Sequence, residues 1–308
     1  MKNIIVIAGP TGVGKTKLSI QLAKLINAEI INADSMQVYK NLNIGTAKIK
    51  DDEKENIIHH LFDIVDVNKN YTIFDYQKNC RKEIEKILKK EKRVILVGGS
   101  GLYIRAALYD YKLEKENIKN TYIDKTNNEL FEMVKKIDSN STIHINNRKR
   151  LIRFLQKKDN NQEILNDSKP IYDFDIIGLT TERKNLYNII DTRVDNMIKE
   201  GLINEVKVLY DKKINSKAIN TGIGYKELYK YFDGSINIEE AISLIKRNSR
   251  RYAKRQYTFF NHQFSIKWFE TDYQNFSNTI NSVYNYLMRW YYAKIFCQWK
   301  NWQLFFYW

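Results

Sequence analysis

The sequence predicts an α/β fold: a doubly wound parallel sheet with helices on both faces, interrupted by a helical insertion. Three observations predict it. "IIVIAG" (Ile4–Gly9) is a short β-branched apolar run that stops at glycine and proline, the pattern of a strand buried on both faces. Similar runs recur along the chain and alternate with stretches of helical period. Between about Tyr111 and Pro170 the alternation lapses into Lys- and Asn-rich sequence with helical patches and no clear buried strand.

Taken in order, the first strand runs into "GKTKLSIQLAKLI", where Leu18, Leu22 and Leu25/Ile26 recur at helical spacing. "AEIINAD" (Ala28–Asp34) is a second short strand ending in polar residues. "TIFDYQKNCRKEIEKILKKEK" is an amphipathic helix through Tyr76, Cys80, Ile84, Ile87 and Leu88. "RVILVGGSG" is a third strand running into glycines, and "DFDIIGLT" and "FSIKWFE" are two more. Within the insertion, "ELFEMVKKI" and "RLIRFLQKK" carry helical period. The expected division is a discontinuous core at 1–110 and 171–285 and an insertion at 111–170. Residues 289–308 form an aromatic tail with no assigned role. The stretch from Met288 holds four of the five tryptophans and no acid, and reads as a terminal extension rather than an interfacial helix.

The 308 residues are 43% hydrophobic, enough for a sizeable core. A net charge of +15 and a pI near 9.4 favour a polyanionic partner such as nucleic acid. Cys80 and Cys297 stand far apart and in no metal-ligand spacing, which argues against a zinc site or a disulfide framework. No secretory leader and no long uncharged apolar stretch is visible, so a cytoplasmic protein without a membrane span is expected.

Gly9-Pro10-Thr11-Gly12-Val13-Gly14-Lys15-Thr16 matches G-x4-G-K-[ST] between a strand and a helix. Glycines let backbone N–H groups wrap phosphate oxygens, and the helix N-terminus adds partial positive charge. Lys15 supplies a point charge, and the Thr16 hydroxyl suits Mg²⁺. The motif reads phosphate and is silent about the rest of the ligand.

Asp34 and Ser35 lie just past the second strand, at the edge where open α/β sheets bind ligands. Position alone leaves Asp34 open to indirect Mg²⁺ coordination, helix capping or general-base work. "GGSGLYIRA" (Gly98–Ala106) is a second glycine turn, which brings the Ser100 hydroxyl to the same crevice or merely connects strand to helix tightly. "HINNRKRLIRFLQ" puts Arg150 and Arg153 on one helical face beside an apolar face at Leu151 and Leu155. In "IKRNSRRYAKRQYTFF", Ile242, Ile245, Ser249, Tyr252, Gln256 and Phe259 trace a mainly apolar stripe. Arg247, Arg250, Arg251, Lys254 and Arg255 crowd the other faces with no acid among them, which suits a polyphosphate or nucleic-acid backbone. His59, His60 and Asp63 read as a strand entrance rather than a metal site.

Seven stretches in order, "GPTGVGKT", "INADSMQVYKNLNIGTAK", "HHLFDIVD", "ILVGGSGLYI", "IHINNRKRLIR", "TGIGYKEL" and "RRYAKRQYTFF", resemble successive blocks of the tRNA dimethylallyltransferase (tRNA isopentenyl transferase) family. The resemblance runs from about Lys2 to Trp268. It implies a P-loop-kinase-like core and transfer of the allyl group of dimethylallyl diphosphate to N6 of adenosine 37 beside the tRNA anticodon. It further implies that the loop from Gly9 to Thr16 holds diphosphate with Mg²⁺ at Thr16, that Thr11 bonds the leaving oxygen, and that Asp34 is the base. Arg250 then lies near the diphosphate, and Ser35, Met36, Gln37 and Ser100 face the extruded base. Lys149, Arg150, Leu151, Ile152, Arg153, Lys254 and Arg255 meet the tRNA, and a monomer is expected. Departures from the family pattern are Ser100 where Thr is usual, His144-Ile-Asn-Asn147 for His-Pro-Asn-Asp, an insertion that looks short, and the tail after Met288. A small-molecule kinase using ATP explains the P-loop but not the basic helix or the Asp34 segment. An adenylate isopentenyltransferase needs no extended basic surface.

Overall fold

The computed structural model describes residues 2–111, 121–159 and 169–303, with side chains as far as 289. The ends of the expected insertion and the last five residues of the expected tail lie outside the described residues. Strands β1 (Ile4–Ala8), β2 (Ala28–Asn32), β3 (His59–His60), β4 (Arg93–Val97), β5 (Phe174–Thr180) and β6 (Lys267–Glu270) form one sheet in the order β3-β2-β4-β1-β5-β6. Every pairing is parallel. The strands predicted from apolar runs are all present, and β1 and β4 stop directly before their glycines.

β1 is buried at all five residues because both faces are covered. Its side chains alternate: Ile4, Val6 and Ala8 join one core cluster while Ile5 and Ile7 join the other. Helices α1 (Lys15–Ile26), α2 (Ile73–Leu88) and α3 (Gly101–Leu108) follow the first strands. A reciprocal capping box between Thr72 and Asp75 starts α2, and the helix buries Tyr76, Cys80, Ile84 and Ile87 at the predicted spacing.

Contacts divide the chain into two compact units, 1–109 with 170–308, and 110–169. In the smaller unit, α4 (Asn127–Ile137) and α5 (Arg148–Asp159) pack through Leu130, Val134, Leu151, Phe154 and Leu155. Thr126 and Glu129 close a capping box at the start of α4. Back in the larger unit come α6 (Arg183–Lys199), α7 (Leu202–Asp211), α8 (Lys217–Thr221), α9 (Tyr225–Phe232), α10 (Ile238–Gln263) and α11 (Phe276–Gln303). The break expected between 285 and 289 falls inside α11, so the tail begins as the continuation of a core helix. That helix is anchored by buried Val283 and Leu287 against the α1 side of the sheet. No helix among the described residues is long and apolar enough to cross a membrane.

Candidate active site

The phosphate loop spans Gly9–Gly14, between β1 and α1. Gly14 caps α1 at φ +87°, and a Cβ there would stand 2.6 Å from the Phe276 ring, so glycine alone fits. Lys15 Nζ donates to the Pro10 carbonyl at 2.6 Å, folding the ammonium back across the loop. Behind the loop, the Thr271 hydroxyl donates to the carbonyl of buried Val13 at 2.9 Å.

Opposite lies the segment that leaves β2. Asn32 Oδ1 accepts from the Asp34 N–H at 2.8 Å, and Asp34 Oδ1 accepts from the Met36 N–H at 2.9 Å, an Asx turn. No helix starts there, which removes helix capping from the roles open to Asp34. The Ser35 N–H donates to Ser100 Oγ at 3.0 Å, tying this turn to the glycine turn after β4. Gln37 Nε2 donates to the Thr46 carbonyl at 3.0 Å.

One cavity of about 600 Å³ collects these parts. Its lining includes Thr11, Gly12, Gly14, Lys15 and Thr16 from the loop, Asp34 to Gln37 from the turn, and Gly98 and Gly99. The predicted stripe of α10 contributes Ile245, Ser249, Tyr252 and Gln256, so it is a cavity wall rather than only a core face. Arg255 joins it from the neighbouring face, and Lys254 is exposed.

The lining also holds Lys226 of the "TGIGYKEL" stretch on α9 and, from α6, Arg193, which belongs to none of the quoted stretches. Arg193 shares the apolar stripe of α6, in step with Leu186, Ile190 and Val194. A cation at such a position is the signal that points to it in the sequence. Burial pulls the Lys15 ammonium down to about 7, Arg193 pushes the same way, and Asp34 opposes both. Burial likewise lowers the Arg193 guanidinium, against the charges of Asp34 and Glu200. Two desolvated cations facing one carboxylate leave the cavity short of negative charge, the state that a polyphosphate anion relieves. Tyr252 is pushed up to about 12, first by burial and then by Asp34.

Two expected contacts need correction. Arg250 is not in the cavity lining; its guanidinium pairs with both carboxylate oxygens of Asp191 on α6. Leu151 is fully buried in the α4–α5 core, because the apolar face of a two-helix unit has to close on itself, and has no surface to offer RNA. Ile152 is half-buried, while Lys149, Arg150 and Arg153 are exposed on α5. His60 sits between Glu29 (2.7 Å) and Glu83 (3.3 Å), and no metal-holding group of three His, Cys, Asp or Glu occurs among the described residues.

A parallel sheet with a phosphate loop after its first strand and a carboxylate facing that loop across one cavity defines a P-loop group-transfer fold. The family model described as IPP transferase matches residues 37–263. A tRNA dimethylallyltransferase of Anoxybacillus flavithermus is 45% identical, covering 93% of this chain and 96% of its own. A relative of the same description from Geobacillus thermodenitrificans is 42% identical over the same shares. The crystal structure of a tRNA isopentenylpyrophosphate transferase from Bacillus halodurans superimposes with a TM-score of 0.74 at 39% identity, covering 94% of this chain and 96% of that one. A eukaryotic dimethylallyltransferase acting on tRNA gives 0.73 at 30% identity, with 88% and 74% covered. The chain belongs to the tRNA dimethylallyltransferase family.

Proposed function

We propose that the chain transfers the dimethylallyl group of dimethylallyl diphosphate to N6 of adenosine 37 in the anticodon loop of tRNA, releasing diphosphate. The single observation that carries this reading is the shared cavity: the phosphate loop and the Asp34 turn both line one space. A cradle for the leaving diphosphate and a proton acceptor therefore share the space where the allyl group is transferred.

N6 attacks the allylic C1, the C1–O bond breaks, and its electron pair leaves on the diphosphate. The loop amides, Lys15 and Arg193 stabilise that departing charge. The Thr11 hydroxyl donates to the leaving oxygen. Asp34 accepts the N6 proton as the new bond forms, since an exocyclic amine is a poor nucleophile until it loses one. Ser35, Met36 and Gln37, with Ser100 behind them, hold the extruded base. Arg250 acts at one remove, clamping Asp191 two residues from Arg193. Lys149, Arg150, Ile152, Arg153, Lys254 and Arg255 face tRNA.

The donors present fit Mg²⁺. The Thr16 hydroxyl is a hard oxygen lining the phosphate cavity, and Mg²⁺ binds through one or two such groups plus substrate phosphates and water rather than through an acidic cluster. When bound, it supplies further positive charge to the leaving diphosphate. A cytoplasmic monomer completes the reading.

The test is purified protein with dimethylallyl diphosphate, Mg²⁺ and unmodified tRNA, without ATP, followed by mass spectrometry of the nucleosides with AMP as competing acceptor. Prenylated adenosine from tRNA alone is expected. Transfer to AMP alone points to the adenylate enzyme, and ATP consumption without transfer points to a kinase.

A further inference from the structure

Gln256 is the one side chain of α10 that reaches both glycine-rich turns. It is 5% exposed. Its Oε1 accepts from the Thr11 N–H at 3.3 Å, and its Nε2 donates to the Gly99 carbonyl at 3.0 Å. The fit is close enough that a Cβ on residue 99 would stand 2.0 Å from Nε2, so Gly99 makes room for the amide. Gly99 is joined directly to Ser100, so the bond to its carbonyl also fixes the start of the turn after β4. Ser100 in turn receives the Ser35 N–H. A continuous path therefore runs from Thr11 in the phosphate loop, through Gln256 and the Gly99–Ser100 backbone, to the turn that carries Asp34.

The chemistry of the path specifies the side chain. It needs one acceptor for an N–H and one donor for a C=O at a fixed separation, which a carboxamide supplies and a carboxylate does not. The reverse amide orientation satisfies neither partner. Resting on the transferase reading above, we propose that Gln256 is a positioning residue that sets the separation between the diphosphate-binding loop and the turn carrying Asp34. Its polar atoms are taken up by Thr11 and Gly99. It holds Thr11 on the donor side in register with Asp34 on the acceptor side, and an error of an ångström in that register costs about 10²-fold in rate.

Two variants test this, Gln256→Leu and Gln256→Glu. Leucine keeps the shape and loses both bonds. Glutamate keeps the acceptor for Thr11 and sets a carboxylate oxygen against the Gly99 carbonyl, until protonation restores a donor. The titratable groups lining the cavity are Lys15, Lys17, Asp34, His59, Arg193, Lys226, Tyr252 and Arg255. Each variant is therefore read as a ratio to wild type at the same pH, which divides out their titration.

The expected result for Gln256→Leu is a kcat about 10- to 100-fold lower, with the melting temperature, the tRNA Kd and the Kd for inorganic diphosphate nearly unchanged. For Gln256→Glu, the ratio to wild type climbs as pH falls, while the Leu ratio stays flat. A kcat for Gln256→Leu within twofold of wild type overturns the proposal. So does a loss that runs parallel to weakened tRNA binding and a lowered melting temperature, or a Glu ratio as flat as the Leu ratio. Wild-type protein that transfers nothing to tRNA refutes the functional reading itself, and the proposal with it.

Discussion

Replacing Lys15 by methionine stabilises the empty protein while removing its activity. Burial lowers the Lys15 ammonium from 10.5 to about 7, with Arg193 adding to the shift. At about 1.4 kcal/mol per pH unit, that drop sets an upper limit near 5 kcal/mol on the folding penalty of the ammonium. Lys15 retains some solvent contact at the cavity wall, which reduces the figure to about 2–3 kcal/mol. Between pH 7 and 10.5 the unfolded chain binds a proton that the folded chain does not. Wild-type stability therefore rises with pH across that window through this group, and the methionine variant lacks the rise. Urea denaturation without ligand is expected to show Lys15→Met more stable by about 2–3 kcal/mol at pH 7, the gap closing toward pH 10. Inorganic diphosphate with Mg²⁺ reverses the order, because binding to the folded wild-type protein stabilises it by mass action and the variant has lost the charge. A variant equal to or less stable than wild type at pH 7, or a gap independent of pH, refutes the claim that the loop stores this electrostatic strain.

Other outcomes follow from the same cavity. Asp34→Asn is expected to lower kcat by about 10²–10⁴-fold while tRNA and diphosphate binding, measured by anisotropy and calorimetry, stay near wild type. Arg193→Leu weakens diphosphate binding in calorimetry by at least tenfold and leaves the tRNA Kd within about twofold, since it removes one of two desolvated cations facing the anion. Lys254→Ala with Arg255→Ala reduces the salt dependence of tRNA binding by about one log–log slope unit per residue. Leu151→Ala costs about 2–5 kcal/mol in the stability of the smaller unit, seen as early loss of amide protection in α4 and α5 under hydrogen exchange.

Much of this protein is legible in its sequence because the relevant physics is local. A strand covered on both faces is mostly apolar, so β1 and the body of β4 announce themselves as β-branched runs, while β2 carries buried Glu29 and Asn32 beside its two isoleucines. A phosphate cradle is built from consecutive backbone amides, so Gly9–Thr16 reads as a motif before any fold is known. Helices such as α2, α4 and α5 show in their period and, at two starts, in their capping residues. The order of the motifs carried the family.

What the linear pattern does not carry is which helix face meets which loop. Leu151 and Ile152 are neighbours in the chain, yet one closes a core and the other lies partly open, a division fixed by how α4 packs on α5. Arg250 and Arg193 are both helical arginines. Only the approach of α6 to α10 pairs Arg250 with Asp191 and leaves Arg193 to the cavity. Gln256 is the sharpest case. Its place on an apolar stripe is visible in the sequence, but its function depends on two turns, at Thr11 and Gly99, that are 245 and 157 residues away. A hydrogen bond over such a separation has no local signature, because the chain between its ends is free to vary. Sequence determined the elements and the chemistry they carry; the tertiary packing decided which of those groups face one another.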